Sequence, residues 1–464
     1  MIADALLRRQ SDSRPVKVAV VGAGRFGTSV IAQISQIPGI EVTAIADVSA
    51  SNLEEAWKAH GAPPESIVWA ESSGAAADAV IAGRRAAVAD ASLVPGLPVD
   101  VVVEATGVPE VSARVCRDSL AQATHVVNVT VECDVAVGAA LSRLAGQNNA
   151  VYSLADGDQP AAVKRLIDWS RALGFQVIAA GRGTRRYRSD RAGVPEEAFA
   201  RYGYDQDTVD RRRLNPRMYN SFRDGTKSQI EMTALANMTG LVPDVPGMHE
   251  PTAGVGDLPN LFRLIRHGGI LTREGVVELA NCVLPDDESD IPEEISIGVF
   301  AVIRSDHPLT ADDMRFYGLR MAPDGRTGVI YTPYHLCGVE TPLTIAEAAL
   351  FGHAVAAPRE APVADVAAVA KRDLDSGERL DGSGGSTLSG YIVEWHQARR
   401  MGLLPLALAD GVTLRRSTAK GSPLRYCDVD LPGDAIIQQL RRELGDAGSD
   451  SKPALPADQI SFPD

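Results

Sequence analysis

The stretch "VKVAVVGAGRFGTSV", Val16 to Val30, decides the fold. A β-branched apolar run breaks into Gly22-Ala23-Gly24-Arg25-Phe26-Gly27 and then takes up helical spacing. A G-x-G-x-x-G pattern alone is weak, but between a strand and a helix of a βαβ unit it marks a dinucleotide site. Gly22 permits the tight turn, Gly24 lets the backbone approach a pyrophosphate, and Gly27 lets helix and strand pack closely. The helix start then offers free N–H groups and a partial positive charge to the phosphates. Arg25 and Phe26 fill the variable positions of the loop, and Arg25 is long enough to reach a phosphate.

Outward from the loop, the next strand, "EVTAIAD", ends at Asp47, 20 positions after Gly27 (47 − 27). A carboxylate there accepts from a ribose 2′-OH and repels a 2′-phosphate, so the cofactor expected is NAD or NADP, with NAD favoured. "VVVEATG", Val101 to Gly107, repeats the strand-then-glycine pattern and brings Thr106 and Gly107 to the ribose and nicotinamide. Thr130, after "HVVN", joins them. The strands expected are VKVAVVG, EVTAIAD, VDVVVEATG, HVVNVTVE and AVYSLA. Helical stretches separate them, and that alternation predicts an α/β, doubly wound parallel sheet. The Ala-rich run from Ala75 to Gly96 reads as helix followed by loop.

The chain is long enough for about three domains. The division expected is a tail over 1–15, a nucleotide-binding domain over 16–155, a central α+β domain over 156–355, a small β-rich unit over 356–435 and a disordered tail over 436–464. With 45% hydrophobic and 23% charged residues the composition is ordinary for a globular protein. A net charge of −14 repels nucleic acid, so no nucleic-acid partner is expected. No apolar run approaches the ~18 residues of a membrane span. The first residues lack a signal peptide's apolar core, so a cytoplasmic protein is expected. Five scattered cysteines fit a reducing compartment and read as small buried hydrophobes. Eight histidines without H-x-x-x-H spacing give no metal site.

Hydride chemistry needs a group that moves the oxygen's proton and donors that hold the developing charge. "NVTVECD" supplies Asn128, Glu132 and Asp134, and "LADGDQP" supplies Asp156 and Asp158 after the last strand of the first domain. "AAGRGTRRYR" places Arg182, Arg185 and Arg186 after a strand, an expected clamp for phosphate or carboxylate. "DGTKSQIEM" puts Lys227 and Glu231 on one strand or turn, and "TPYHLCG" gives Tyr334 and His335. Lys227 or His335 is expected to move the proton, Arg182 to hold an anionic group, and Asp158 or Glu132 to orient hydroxyls.

From Val18 to about Asp430 the chain resembles homoserine-dehydrogenase-related oxidoreductases with a C-terminal SAF domain. Within them it is most similar to the 1-deoxy-D-xylulose 5-phosphate reductoisomerase-like group. The stretches that carry the resemblance are "EATGVPEV", "VECDVAVG", "YSLADGDQP", "SFRDGTKSQIEMTALANMTGLVPDVPGMH", "TPYHLCGVETPLT" and "VAAVAKRDLDSGERLDG". The resemblance implies a Rossmann domain, a central catalytic and dimerising domain, a SAF unit and a homodimer. Glu132, Asp158, Lys227, Asn237, Tyr334 and His335 match the group's shared residues. Where the group reads GKGK this chain has Gly181-Arg182-Gly183-Thr184, and arginine holds anions where lysine can also cycle a proton. The expected function is an NAD(P)-dependent oxidoreductase acting on a small hydroxylated, anionic carbonyl or alcohol. Two alternatives stay open: a deoxyxylulose-phosphate reductoisomerase-like enzyme of isoprenoid synthesis, and a non-catalytic NAD(H)-binding sensor or assembly protein.

Overall fold

The computed structural model describes residues 1–284, 289–445 and 462. They divide into two units. One holds Met1–Ala161, Leu336–Glu360 and Asp434–Leu444; the other holds Ala162–His335, Ala361–Gly433 and the described residues from Gly445 on.

The first unit begins with a helix, α1 (Ile2–Ser11), where a tail was expected. Ile2 and Leu6, four residues apart, share its inner face, and Leu6 is buried in the core. Seven strands follow: β1 (Val16–Val21), β2 (Ile40–Ala46), β3 (Ile67–Trp69), β4 (Arg85–Val88), β5 (Val101–Glu104), β6 (His125–Asn128) and β7 (Tyr152–Leu154). They form one parallel sheet in the order β3-β4-β2-β1-β5-β6-β7, so β1 lies near the middle and the topology is Rossmann-like. Helices α2 (Arg25–Ile34), α3 (Ala50–His60), α4 (Ser73–Ile81), α5 (Pro109–Ala121) and α6 (Val131–Gln147) complete the crossovers. Away from the edge strand β3 the strands are largely buried and mostly apolar, as a covered parallel sheet requires.

The Ala-rich run is not simply helix then loop: α4 is followed by β4, and β3 precedes it. Short runs such as Arg-Ala-Ala-Val carry no period that separates strand from helix. "HVVNVTVE" stops being a strand at Asn128, because the Asn128 side chain accepts from the Thr130 N–H (2.9 Å) and turns the chain into α6. The helix expected at "LTIAEAALFGHAV" forms over Thr341–Phe351, but its Ile345 and Ala346 enter the core of the first unit. Part of the expected disordered tail is also a helix, Ile436–Glu443, with Ile437 and Leu440 buried. Glu110 of α5 accepts from the Ile436 and Ile437 N–H groups (both 3.0 Å) and satisfies its first turn. The rest of that expected tail, 446–461 and 463–464, lies outside the described residues.

The second unit is built on a mixed sheet of β8 (Gln176–Thr184), β9 (Val242–Pro243), β10 (Val276–Asn281), β11 (Val299–Arg304), β12 (Arg320–Met321) and β13 (Thr327–Thr332), in the order β12-β13-β11-β8-β10-β9. Strand β8 runs parallel to β10 and antiparallel to β11. Two glycines allow the chain to close around β8. A Cβ on Gly181 would stand 1.7 Å from the Glu278 carbonyl oxygen, and one on Gly183 would stand 1.8 Å from that of Ile295. Arg182, expected after this strand, lies inside it. "GVIYTPYHLCGVE" is a strand only to Thr332, which leaves Tyr334 and His335 beyond β13.

"DGTKSQIEM" is neither strand nor turn but the start of a helix, Thr226–Thr239, whose fourteen residues are all buried. With every side covered the helix shows no amphipathic period, and period was the signal available. Met232, Leu235 and Ala236 pack into the core with Leu279, Val299 and Ala301 of the sheet. Two antiparallel pairs follow, β14 (Ala364–Ala370) with β15 (Leu388–Glu394), and β16 (Thr413–Leu414) with β17 (Val429–Asp430). The stretch expected as a third unit therefore falls mostly within the second. No helix of the described residues is long and apolar enough to cross a membrane.

Candidate functional site

In the first unit the expected cofactor residues converge on the C-terminal ends of β1, β2, β5 and β6. Gly22 has φ +94°, and a Cβ there would stand 2.6 Å from the Ala105 carbonyl, so the glycine loop lies directly on the turn after β5. Gly24 caps α2 and has open space where a Cβ would point. A Cβ on Gly27 would stand 1.9 Å from the Gly22 carbonyl oxygen. Arg25 is exposed at the first turn of α2, and Phe26 is partly buried against the core.

Asp47 is tied to the loop. Its Oδ2 accepts from the Ala23 N–H (2.7 Å), while Oδ1 accepts from the Ser49 N–H (2.9 Å) and Asn52 Nδ2 (3.0 Å). No basic residue occurs between Val48 and Asn52. Thr106, Gly107 and Thr130 are bonded into one turn. The Gly107 N–H donates to Thr130 Oγ1 (3.0 Å), and the Thr106 N–H (2.9 Å) and hydroxyl (2.5 Å) both donate to Glu104 Oε1.

Sequence reading missed Glu104. Its side chain is fully buried, Oε2 has no hydrogen-bond partner among the described residues, and burial raises its pKa against the donors of Thr106. Behind it a polar chain continues through the interior. Asn128 Nδ2 donates to the Tyr152 hydroxyl (2.9 Å), which donates to Asp134 Oδ1 (3.0 Å). Burial pushes Asp134 up to about 7, partly opposed by Tyr152. Glu132 sits buried in the first turn of α6, and Asp158 Oδ1 accepts from the Gln159 N–H (2.9 Å) at the start of the next helix.

The second unit holds the remaining expected residues. Lys227 and Glu231 lie one turn apart on the buried helix Thr226–Thr239. Glu231 forms an ion pair with Arg182, both nearly inaccessible to water. The arginines expected as an anion clamp are each matched by a carboxylate: Arg182 by Glu231, Arg185 by Asp290 and Arg186 by Glu250. Each therefore already has an ionic partner that an incoming anion would have to displace or share. His335 Nδ1 lies 2.6 Å from the Ile297 carbonyl oxygen, and Tyr334 is 53% exposed.

Asn237 has a structural role. Its Oδ1 accepts from the Val363 (2.9 Å) and Ala364 (3.0 Å) N–H groups at the start of β14. Along the same helix Thr226 Oγ1 accepts from the Gly390 N–H and Gln229 Oε1 from the Ile392 N–H of β15 (both 3.0 Å). Asn237→Ala would strand two backbone donors and is expected to cost about 1–3 kcal/mol. Urea melts would show it as a lower midpoint, with Asn237→Asp, which keeps the acceptor, recovering most of the loss. An unchanged midpoint for the alanine variant would refute the role.

A second cluster was invisible in the sequence. His249 stands between Met248 (φ +66°) and Glu250 (φ +48°), left-handed conformations that non-glycine residues rarely hold. That backbone aims the two side chains at different partners. His249 Nδ1 lies 2.6 Å from Oε1 of the buried Glu278, whose Oε2 accepts the His249 N–H (3.1 Å); Glu250 takes Arg186 and Thr184 Oγ1 (3.0 Å). Burial lowers the His249 pKa, but the bond to Glu278 and the charges of Glu278 and Asp244 outweigh it, so the net shift is upward.

Residues 157–341 match the family described as "Oxidoreductase DRL, catalytic domain". No curated protein matches the chain. Among solved structures, it is similar to an oxidoreductase from Agrobacterium radiobacter in complex with NAD+, L-tartaric acid and magnesium, at 14% identity and TM-score 0.27, over 37% of this chain and 45% of that one. It is also similar to a putative myo-inositol dehydrogenase from Sinorhizobium meliloti 1021, at 13% identity and TM-score 0.36, over 74% and 92%. A third is a DOX-P reductoisomerase in complex with magnesium, at 16% identity and TM-score 0.30, over 47% and 56%. The chain thus spans less than half the length of the first of these structures.

Proposed function

We propose that the protein is an NAD(P)-dependent oxidoreductase of small hydroxylated, anionic carbonyl or alcohol substrates. The observation that carries this reading is the loop Gly22–Gly27, bonded at Ala23 to Asp47, packed at Gly22 on the turn after β5, and open at Gly24. The match of residues 157–341 to an oxidoreductase catalytic domain supports it from the rest of the chain.

When bound, the nicotinamide cofactor supplies or takes the hydride. The α2 N-terminus at Gly24 would receive the pyrophosphate, and Asp47 the ribose hydroxyls. The acidic end of β2, with no lysine or arginine through Asn52, supports NAD over NADP. Thr106, Gly107 and Thr130, fixed by Glu104, would line the ribose and nicotinamide side. For the proton that accompanies hydride transfer the proposed groups are Lys227 and His335, with Glu132 and Asp158 orienting hydroxyls. Coupled isomerisation, the reductoisomerase-like form of this reading, would draw on the same proton-moving groups.

The test is nucleotide binding followed by turnover of keto-sugar phosphates and keto-acids with NADH and NADPH. Wild-type protein is expected to bind NAD(H) and to oxidise it with at least one member of the panel. Asp47→Ala is expected to weaken NAD(H) by about 10- to 100-fold, the loss of a charge-assisted hydrogen bond, and to leave NADP(H) less affected. Failure of the wild-type chain to bind either nucleotide would defeat the proposal.

A further inference from the structure

Several buried cations of the second unit pair with carboxylates. Arg182 has Glu231, Arg186 has Glu250, Arg223 has Asp190 at 2.7 Å and Lys371 has Asp224 at 2.5 Å. Arg191 differs. Among the described residues no carboxylate pairs with it, because its chain neighbour Asp190 is taken by Arg223 and by Arg201 (3.2 Å). Among the described residues the hydrogen-bond acceptor of Arg191 is the Tyr391 hydroxyl on β15, to which Nη1 donates. Its guanidinium carbon lies 5.3 Å from the centroid of the Tyr391 ring, which is itself braced by Phe462 at 4.9 Å. The Nε–H is buried without a hydrogen-bond partner among the described residues.

Burial and the neighbouring positive charge of Arg186 hold the Arg191 pKa below its usual value, against weaker support from Tyr391 and Glu250. Among the described residues Glu250 pairs with Arg186 and Asp224 with Lys371, which leaves the partly buried Arg191 guanidinium without a carboxylate of its own. With Nη1 fixed by Tyr391, the edge formed by Nε and Nη2 is the one that a planar or tetrahedral oxyanion matches with two parallel bonds. The Tyr391 hydroxyl, its position set by the tilted ring contact with Phe462 and by Nη1, adds a donor at the rim.

From this we infer that Arg191, flanked by Arg186 and Tyr391, is an oxyanion-binding site for a phosphate or carboxylate group. Unlike Arg182, which pairs with Glu231, it has no carboxylate partner among the described residues. The identification of that oxyanion as part of the substrate rests on the oxidoreductase reading; the binding site itself does not.

The test uses the full chain and three anions at equal ionic strength: inorganic phosphate, propanoate and chloride. Thermal stability is followed as each is titrated, since a ligand held by the native state raises the midpoint. Phosphate or propanoate is expected to raise it above chloride, and the stronger of the two tells whether the site takes a phosphate ester or a carboxylate. Arg191→Gln is expected to weaken that effect by about tenfold or more, the loss of a charge-assisted pair. Arg326→Gln, at an exposed arginine, serves as the control and should leave it intact. Equal shifts with all three anions in the wild type, or an undiminished oxyanion effect in Arg191→Gln, would overturn the site. If Arg191→Gln does not fold, Arg191→Lys decides, because it keeps the charge and loses the fork; unchanged affinity there overturns it too. NAD(H) binding measured on the same samples should not respond to Arg191→Gln. A wild type that binds oxyanion but no dinucleotide would therefore sink the oxidoreductase reading alone.

Discussion

Gly27→Val is expected to remove dinucleotide binding, while Gly24→Ala weakens it and leaves the apo protein as stable as before. The two glycines belong to one loop and are needed for different reasons. At Gly27 the first atom of any side chain would fall 1.9 Å from a backbone oxygen, which cannot rotate away. The turn between β1 and α2 must open, at a strain of about 3 kcal/mol or more, equivalent to roughly a hundredfold or greater loss of affinity. At Gly24 an added Cβ meets nothing in the protein, so its cost arises only when a phosphate needs that space. Calorimetric titration with NADH and thermal melts of both variants separate the effects. Gly27→Val should lose affinity and melting temperature together, Gly24→Ala affinity alone. Retained NADH affinity in Gly27→Val would show that the loop does not hold the dinucleotide.

The second large effect concerns Asp134 and grows with pH. Its carboxyl is wholly buried, bonded on one oxygen to Tyr152, and its pKa is raised from 3.8 to about 7. The folded state keeps a proton that the unfolded chain releases in this interval. The group's stabilising share is complete below about pH 4 and is lost as pH rises through about 7. A rise of that size amounts to as much as ~4 kcal/mol. The substitution Asp134→Asn keeps an amide oxygen that can still accept from Tyr152 but carries no charge to bury. Relative to wild type, Asp134→Asn is expected to gain about 2–4 kcal/mol between about pH 4.5 and about pH 8.5. Urea unfolding at the two pH values measures it directly. An equal difference at both would mean that Asp134 does not titrate in the fold.

What the sequence reveals follows the reach of each interaction. The stretch from Val16 to Asp47 reads correctly because strand, turn, helix and acidic strand end are all written in local pattern. Arg85–Val88 does not, since four residues rich in alanine fit either secondary structure. The helix Thr226–Thr239 is concealed for the opposite reason: its polar residues are buried by hydrogen bonds to β14 and β15, more than a hundred positions away. The charge pairs are set by the fold alone. Arg182 looks like a ligand-binding arginine until β8 is laid beside the helix that carries Glu231. Nothing next to His249 in sequence announces Glu278, and nothing next to Arg191 announces that Asp190 turns away from it.

The helix Ile436–Glu443 has a consequence for how the molecule is made. It completes the first unit by bonding to Glu110, across 326 positions of sequence. A chain emerging from the ribosome N-terminus first can pair β1 with β2 and β5 early, but the surface of α5 and α6 waits for almost the whole polypeptide. Contacts of such separation carry a large loop-closure entropy and slow the last stage of folding. During synthesis the surface that Ile437 and Leu440 later cover stays open, which is where a chaperone would act or aggregation would begin.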